Sequence, residues 1–183
     1  MRILVSYIII VVFLLSACQP PASENRELPK LADDRFNVAF LIMEGVYNSE
    51  LTAPYDIFHH TIFRDGIRPM NVFTVANTLQ PIRTFEGLRV LPDFNYLEDD
   101  LPKIDILVVP SAEHHLDTDL QDTAMLGFVR RTAEQAQFVT SHCDGSFGLA
   151  KAGLLDLCTM DQFNIGVRGG SFGNYVVSAV IAI

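Results

Sequence analysis

At 183 residues the chain has room for one ordinary domain and little more. With 49% hydrophobic and 19% charged residues it fits a packed core rather than a disordered polymer. Thirteen basic against 22 acidic side chains leave a formal charge of -9, and Lys and Arg cluster nowhere in the domain. Nucleic acid is thereby excluded as a partner, because phosphates need cations to neutralise them.

Met1-Arg2 opens onto an apolar run from Ile3 to Leu15, interrupted only by Ser6 and Tyr7. That run is shorter than the roughly 20 apolar residues of a spanning helix and has the form of a secretory signal. Leu15-Ser16-Ala17-Cys18 resembles the bacterial lipobox, in which the Cys is acylated and becomes the mature N-terminus. Residues 1–18 are therefore expected to be a lipoprotein signal, with Cys18 as the lipidation site. The expected location is the bacterial cell envelope, and Gln19 resembles a signal for outer-membrane sorting. Residues 19–34, with three prolines and no apolar period, read as a flexible tether.

The domain is expected over residues 35–156. Phe36 to Met43 is a nearly continuous apolar run, as in a strand buried on both faces. Pro54 predicts the first turn of a helix with a stripe of Tyr55, Ile57, Phe58 and Ile62, closed by Gly66. Asn71–Ala76 reads as a second strand. Ile82–Leu91 reads as a hairpin turning at Glu86-Gly87. Ile104–Pro110 is the clearest core strand, and an apolar set at helical spacing predicts a helix over 119–136. A fourth strand, Phe138–Ser141, runs into Cys143-Asp144-Gly145, and helix formers follow from Ser146 to Leu155. Strands alternating with helices predict an α/β fold, a flavodoxin-like parallel sheet with helices on both faces.

Open parallel sheets bind ligands at the carboxyl ends of their strands, where Cys143 stands. A sharp strand-to-helix turn exposes a nucleophile there, and the next backbone N–H, that of Asp144, can face an oxyanion. The helix N-terminus is expected to lower the Cys143 pKa, and Gly145 to permit the tight turn. The alternative is a buried structural Cys in a β–α junction.

The stretch from Phe138 to Asp156, containing His142-Cys143-Asp144-Gly145-Ser146-Phe147-Gly148, resembles the elbow of the DJ-1/PfpI superfamily. The group nearest to it holds isonitrile hydratases and the ligand-sensing halves of AraC-type regulators. Glu50-Leu51-Thr52-Ala53-Pro54-Tyr55-Asp56-Ile57-Phe58 resembles a second motif of that group, whose acid faces the nucleophile. Phe85–Asp93 and the strand ending at Pro110 agree, so the resemblance covers roughly residues 36 to 156. It implies a role for Glu50 as acid/base partner of Cys143, with a carboxyl pKa raised by burial and by the neighbouring thiolate.

The chain departs from that group in three places. Asp144 replaces a Thr, which adds a carboxylate beside the sulfur. Ser111-Ala112 replaces a Gly pair that supplies a second oxyanion donor. Residues 157–183 form an atypical tail, where the resemblance implies a continuation of roughly 50 or more residues, often bringing a His; a truncated or frame-shifted end is expected, with its apolar segment a single strand or helix. Tyr47 precedes Glu50 and is a candidate pocket residue, or a packed surface aromatic. His59-His60 read as surface residues. Glu113-His114-His115 matches no known zinc spacing, so neither metal nor cofactor is expected. Cys158 offers a bridge to Cys143 that would remove the nucleophile.

Three functions stay open at this stage: an enzyme using Cys143, Glu50 and Asp144 on a small molecule, a non-catalytic ligand sensor, and an inactive fragment. The partners expected are a small-molecule ligand, a lipid membrane through Cys18, and a second copy of the chain in a homodimer.

Overall fold

The structure is a computed structural model that describes residues 28–155 in full and, beyond them, the backbone of Asn164–Gly169 and Tyr175–Ala182. The expected signal, Cys18, the first part of the expected tether and Cys158 lie outside the described residues.

Among the described residues nine strands and three α-helices follow one another. They are β1 (Phe36–Leu41), α1 (Asn48–His59), β2 (Met70–Ala76), β3 (Ile82–Arg83), β4 (Arg89–Val90), β5 (Phe94–Asn95), β6 (Ile106–Val109), α2 (Thr123–Ala133), β7 (Phe138–His142), α3 (Gly145–Lys151), β8 (Asn164–Gly169) and β9 (Tyr175–Ala182). The sheet has the order β5-β2-β1-β6-β7-β9-β8. Its first five strands are parallel, as expected, whereas β9 runs antiparallel to β7 and to β8. The tail, read as one strand or helix, contributes two strands.

Period-2 alternation along β1 divides the core. Val38, Phe40 and Ile42 face Leu51, Tyr55 and Phe58 of α1, with ring contacts of Phe40 to Tyr55 and Phe58. Ala39 and Leu41 face the opposite way, into a cluster with Met125, Leu126 and Val129 of α2 and Leu149 of α3. Helices thus cover both faces, and all five parallel strands end on one edge.

Several expected boundaries move. Helix α1 begins at Asn48, so Pro54 lies in its interior and Glu50 in its first turn, where an acid complements the helix dipole. The stripe also differs: Ile57 is exposed and Leu51 is buried. The predicted helix over 119–136 is a 3-10 turn (Asp119–Gln121) followed by α2. Asp122 divides them by capping α2, its Oδ1 accepting from the N–H groups of Ala124 and Met125 at 2.9 and 3.0 Å. Asp122→Ala is expected to cost about 1 kcal/mol in a urea melt, since two helix donors lose their partner. The expected tether is fastened near its end, where Ala32 exchanges two hydrogen bonds with the Asn71 side chain and Leu31 packs on the core.

The hairpin β3–β4 forms as read, with Gly87 at φ 95° in the turn. It folds over the end of β1: Gly45 N–H donates to the Arg83 carbonyl, Phe85 N–H to the Val46 carbonyl, and Asn48 N–H to Glu86 Oε2. Glu86 therefore stands at the start of α1. Asp93 fixes the far side of the hairpin by accepting from both N–H and hydroxyl of Thr74 and donating back to that hydroxyl.

Candidate active site

Cys143 follows the last residue of β7 and is half-buried with φ 43°, the one non-glycine residue with positive φ among those described. A left-handed backbone costs a residue with a Cβ about 1–2 kcal/mol, so the surroundings must hold it there. Ser146 does so directly, its N–H and its hydroxyl both donating to the Cys143 carbonyl at 3.3 and 2.9 Å.

Gly145 holds the elbow for a different reason from the one expected. Its φ is not positive; instead the start of α3 presses against the end of β6, and a Cβ here would stand 2.2 Å from the Val109 carbonyl oxygen and 3.1 Å from that of Pro110. Only glycine lets the backbones approach so closely.

Glu50 reaches the elbow from the first turn of α1. Its Oε2 accepts the Ser111 N–H at 2.9 Å, and its charge is felt at the Cys143 sulfur. Burial is the main cause raising its pKa, reinforced by Asp144, while the Ser111 N–H and the Cys143 side chain pull the other way. The acid separated from the nucleophile by most of the domain is therefore brought to it.

Two expected oxyanion donors are placed otherwise. Ser111 N–H is taken by Glu50, and Asp144 N–H donates to the Cys143 sulfur itself. Ala112 is buried and bridges to Val46 in an antiparallel pair, which ties the loop after β6 to the segment before α1. The Asp144 carboxylate accepts from the thiol at 3.6 Å.

The thiol pKa is raised, not lowered as the helix end suggested. Burial comes first among the causes, then the carboxyls of Glu50 and Asp144. No imidazolium offsets them, since burial lowers the pKa of His142 beside it. At neutral pH the site holds a thiol among carboxyls.

Tyr47 lies beside this group and packs against the hairpin. Its ring packs on Phe85 with centroids 5.0 Å apart, and its own pKa is raised by burial and then by Asp144, Glu113, Glu50 and Cys143. The structure thus brings Tyr47, Glu50, Ser111, Cys143 and Asp144 to one place. It adds Phe85 and Glu86, which the hairpin carries there; their only sequence signal was the Phe85–Asp93 stretch. His59 and His60 are exposed, as read, and no group of metal-ligating side chains occurs among the described residues. A cavity of about 820 Å³ lies between α1 and the hairpin and has none of the five residues on its wall.

Residues 36–163 match the DJ-1/PfpI family. The chain is 32% identical over 118 residues to the isonitrile hydratase of Pseudomonas putida, covering 64% of this chain and 48% of that protein. It therefore spans about half the length of that relative. Among solved structures, a ThiJ/PfpI family protein from Pseudomonas syringae superposes with TM-score 0.54 at 22% identity, over 73% of this chain and 55% of the other. A putative transcriptional regulator protein from Vibrio parahaemolyticus gives 0.56 at 22%, over 67% of this chain and 63% of the other. DJ-1beta of Drosophila melanogaster gives 0.54 at 15%, over 66% of this chain and 61% of the other.

Proposed function

Since this chain belongs to the DJ-1/PfpI family, we propose that it is a cysteine-dependent hydratase of small unsaturated molecules, isonitriles foremost. Cys143 is the nucleophile and Glu50 its acid/base partner. The observation that carries the reading is the thiol of Cys143, held in a left-handed elbow at a strand end and coupled electrostatically to the Glu50 carboxyl. The identity to isonitrile hydratase supports the substrate class.

An isonitrile carbon bears a lone pair and takes up a proton as it takes up a nucleophile. A site resting as thiol and carboxyl, rather than thiolate, suits that demand. Glu50 takes the thiol proton as the sulfur bonds to the carbon and passes that proton to the same carbon. The product is a thioimidate, R–N=CH–S–Cys143. Water then adds to the carbon, the C–S bond breaks, and the sulfur regains a proton, leaving R–NH–CHO. Atoms balance as isonitrile plus water giving an N-substituted formamide. Tyr47 and Phe85 form an aromatic wall beside the thiol that suits an apolar R group.

Incubation with a simple alkyl isonitrile, followed by mass spectrometry for the formamide, tests the reading. Formamide is expected with the wild-type chain and not with Cys143→Ala; its absence from the first, or its presence in both, contradicts the reading. The raised thiol pKa favours a second reading, a ligand-binding module without turnover. That reading expects the ligand to be recovered unchanged, with equal affinity for wild type and Cys143→Ala.

The same proposal sets the domain on a cell-envelope membrane through acylated Cys18, supported by Leu15-Ser16-Ala17-Cys18. Acyl chains contribute about 0.8 kcal/mol per buried CH₂, so several chains make a lasting anchor. In cells fed an alkyne fatty acid, the wild-type chain is expected to carry the label in the membrane fraction and Cys18→Ser to lack it. Equal labelling of both removes the anchor.

A further inference from the structure

Helix α1 begins without a cap of its own. Tyr47 stands at the cap position with an extended backbone and no side-chain hydrogen bond to the helix. The first N–H groups of a helix have no carbonyl one turn back, so they need acceptors from elsewhere. One acceptor comes from far along the chain: Glu86 Oε2, 38 residues beyond Asn48, accepts the Asn48 N–H at 3.0 Å.

Glu50 is the third residue of α1. From that position an acid ordinarily turns back to the N–H of the cap residue, closing a capping box. Here the Tyr47 N–H donates to the Ser111 carbonyl instead, at 3.1 Å. The Glu50 carboxyl goes to the other side of the same residue, its Oε2 accepting the Ser111 N–H at 2.9 Å. Ser111 thus grips the first turn twice, and the capping is left to Glu86.

The hairpin that carries Glu86 is fixed against this turn by contacts of its own. Phe85 N–H donates to the Val46 carbonyl at 3.1 Å, and the Phe85 ring packs on Tyr47 with centroids 5.0 Å apart. Thr84 is buried beneath the tip. Its carbonyl accepts the Gly87 N–H and its hydroxyl the Leu88 N–H, each at 2.9 Å. The tip is therefore tied on both sides of Glu86, which reaches Asn48 from a held backbone.

We infer that Glu86 is a positioning residue for Glu50: by taking the open N–H of α1 it does the capping that Glu50 would otherwise do, and leaves the Glu50 carboxyl on the Ser111 N–H. Two carboxyls compete for one helix start, where the dipole favours a negative charge. Glu86 is exposed and Glu50 partly buried, so the preference is met by the carboxylate that loses less hydration. The role rests on Glu50 as the acid of the site and not on what the site turns over.

Proton–nitrogen NMR of the full chain, following the Ser111 amide, tests the inference with neither substrate nor thiol chemistry. An N–H bonded to a carboxylate makes a short, strong hydrogen bond, lies downfield and moves as that carboxylate titrates. The wild-type signal is therefore expected to follow Glu50. Glu86→Asp keeps the charge and loses the reach, Glu86→Ala loses both, and Glu86→Gln keeps the reach and an oxygen without the charge. The Asp and Ala variants are expected to shift the Ser111 amide upfield and flatten its titration, as Glu50 turns back onto its own helix. The Gln variant is expected to keep the wild-type signal. A cap that only stabilised the fold would lower the urea midpoint of the Asp and Ala variants and leave the Ser111 amide in place, which overturns the inference. A Gln variant shifted as far as the other two also overturns it, since charge rather than the hydrogen bond would then hold Glu50. The formamide assay decides the hydratase reading separately, so either can fail without the other.

Discussion

Gly145→Ala is expected to lower the melting temperature by roughly 10 °C, the shift that a loss of about 2–3 kcal/mol gives in a domain of this size. The added methyl would lie 2.2 Å from a main-chain oxygen of Val109, and neither partner is a side chain that can swing aside. Either α3 retreats from β6 or the β6 end bends, and both movements displace Cys143 from Glu50. Gly148, in the same helix, is the matched control. A Cβ there meets nothing within 4 Å, so Gly148→Ala is expected to stabilise by about 0.5–1 kcal/mol through helix propensity. Thermal melts of the two variants decide it: a Gly145→Ala melt within about 2 °C of wild type would mean that the close approach does not hold the elbow.

Glu50→Gln is expected to lower the proposed isonitrile turnover by a factor of about 10²–10⁴, the usual contribution of a positioned acid/base. It is also expected to raise stability at alkaline pH. The folded-state pKa of Glu50 is raised, so between the unfolded and folded values the native chain binds more protons than the unfolded one. Stability is then complete below the unfolded pKa and falls as pH rises through the folded one. A Gln side chain keeps an oxygen for the Ser111 N–H and carries no charge to desolvate. Urea melts at acid and alkaline pH are expected to show the variant gaining on wild type only at the higher pH. A variant less stable than wild type at every pH would show that the ionised carboxylate supports the fold.

Strand runs that are apolar on both faces were legible because parallel strands packed between helices have no polar face to alternate with. For β1, β6 and β7 this located the strands within one or two residues. Helix starts were less legible. Pro54 fits a first turn, yet α1 tolerates it in the interior, and the residues that start the helix depend on Glu86 arriving from the hairpin. Cys143 could be read from a local turn, but Glu50 could be assigned only through its resemblance to a motif, because nothing local tells a surface helix acid from one aimed at a thiol.

The finer chemistry depended on tertiary contacts. Ser111 N–H was an available donor in the sequence and is occupied in the fold. A helix end lowers a thiol pKa in isolation, but burial and two carboxyls outweigh seven residues of helix. His114 and His115 make the point most sharply. Adjacent and identical, they read alike, yet one is exposed and the other wholly buried, because the turn at 112–115 rotates them to opposite sides of the loop.

The pH dependence of Cys143 alkylation by iodoacetamide in the full-length chain bears most directly on the arrangement of thiol and carboxyls. Its midpoint is expected above the ordinary thiol value of about 8.5, and to fall in both Glu50→Gln and Asp144→Asn as each carboxyl's repulsion is removed. A midpoint at or below that value, or one that neither substitution moves, would contradict it.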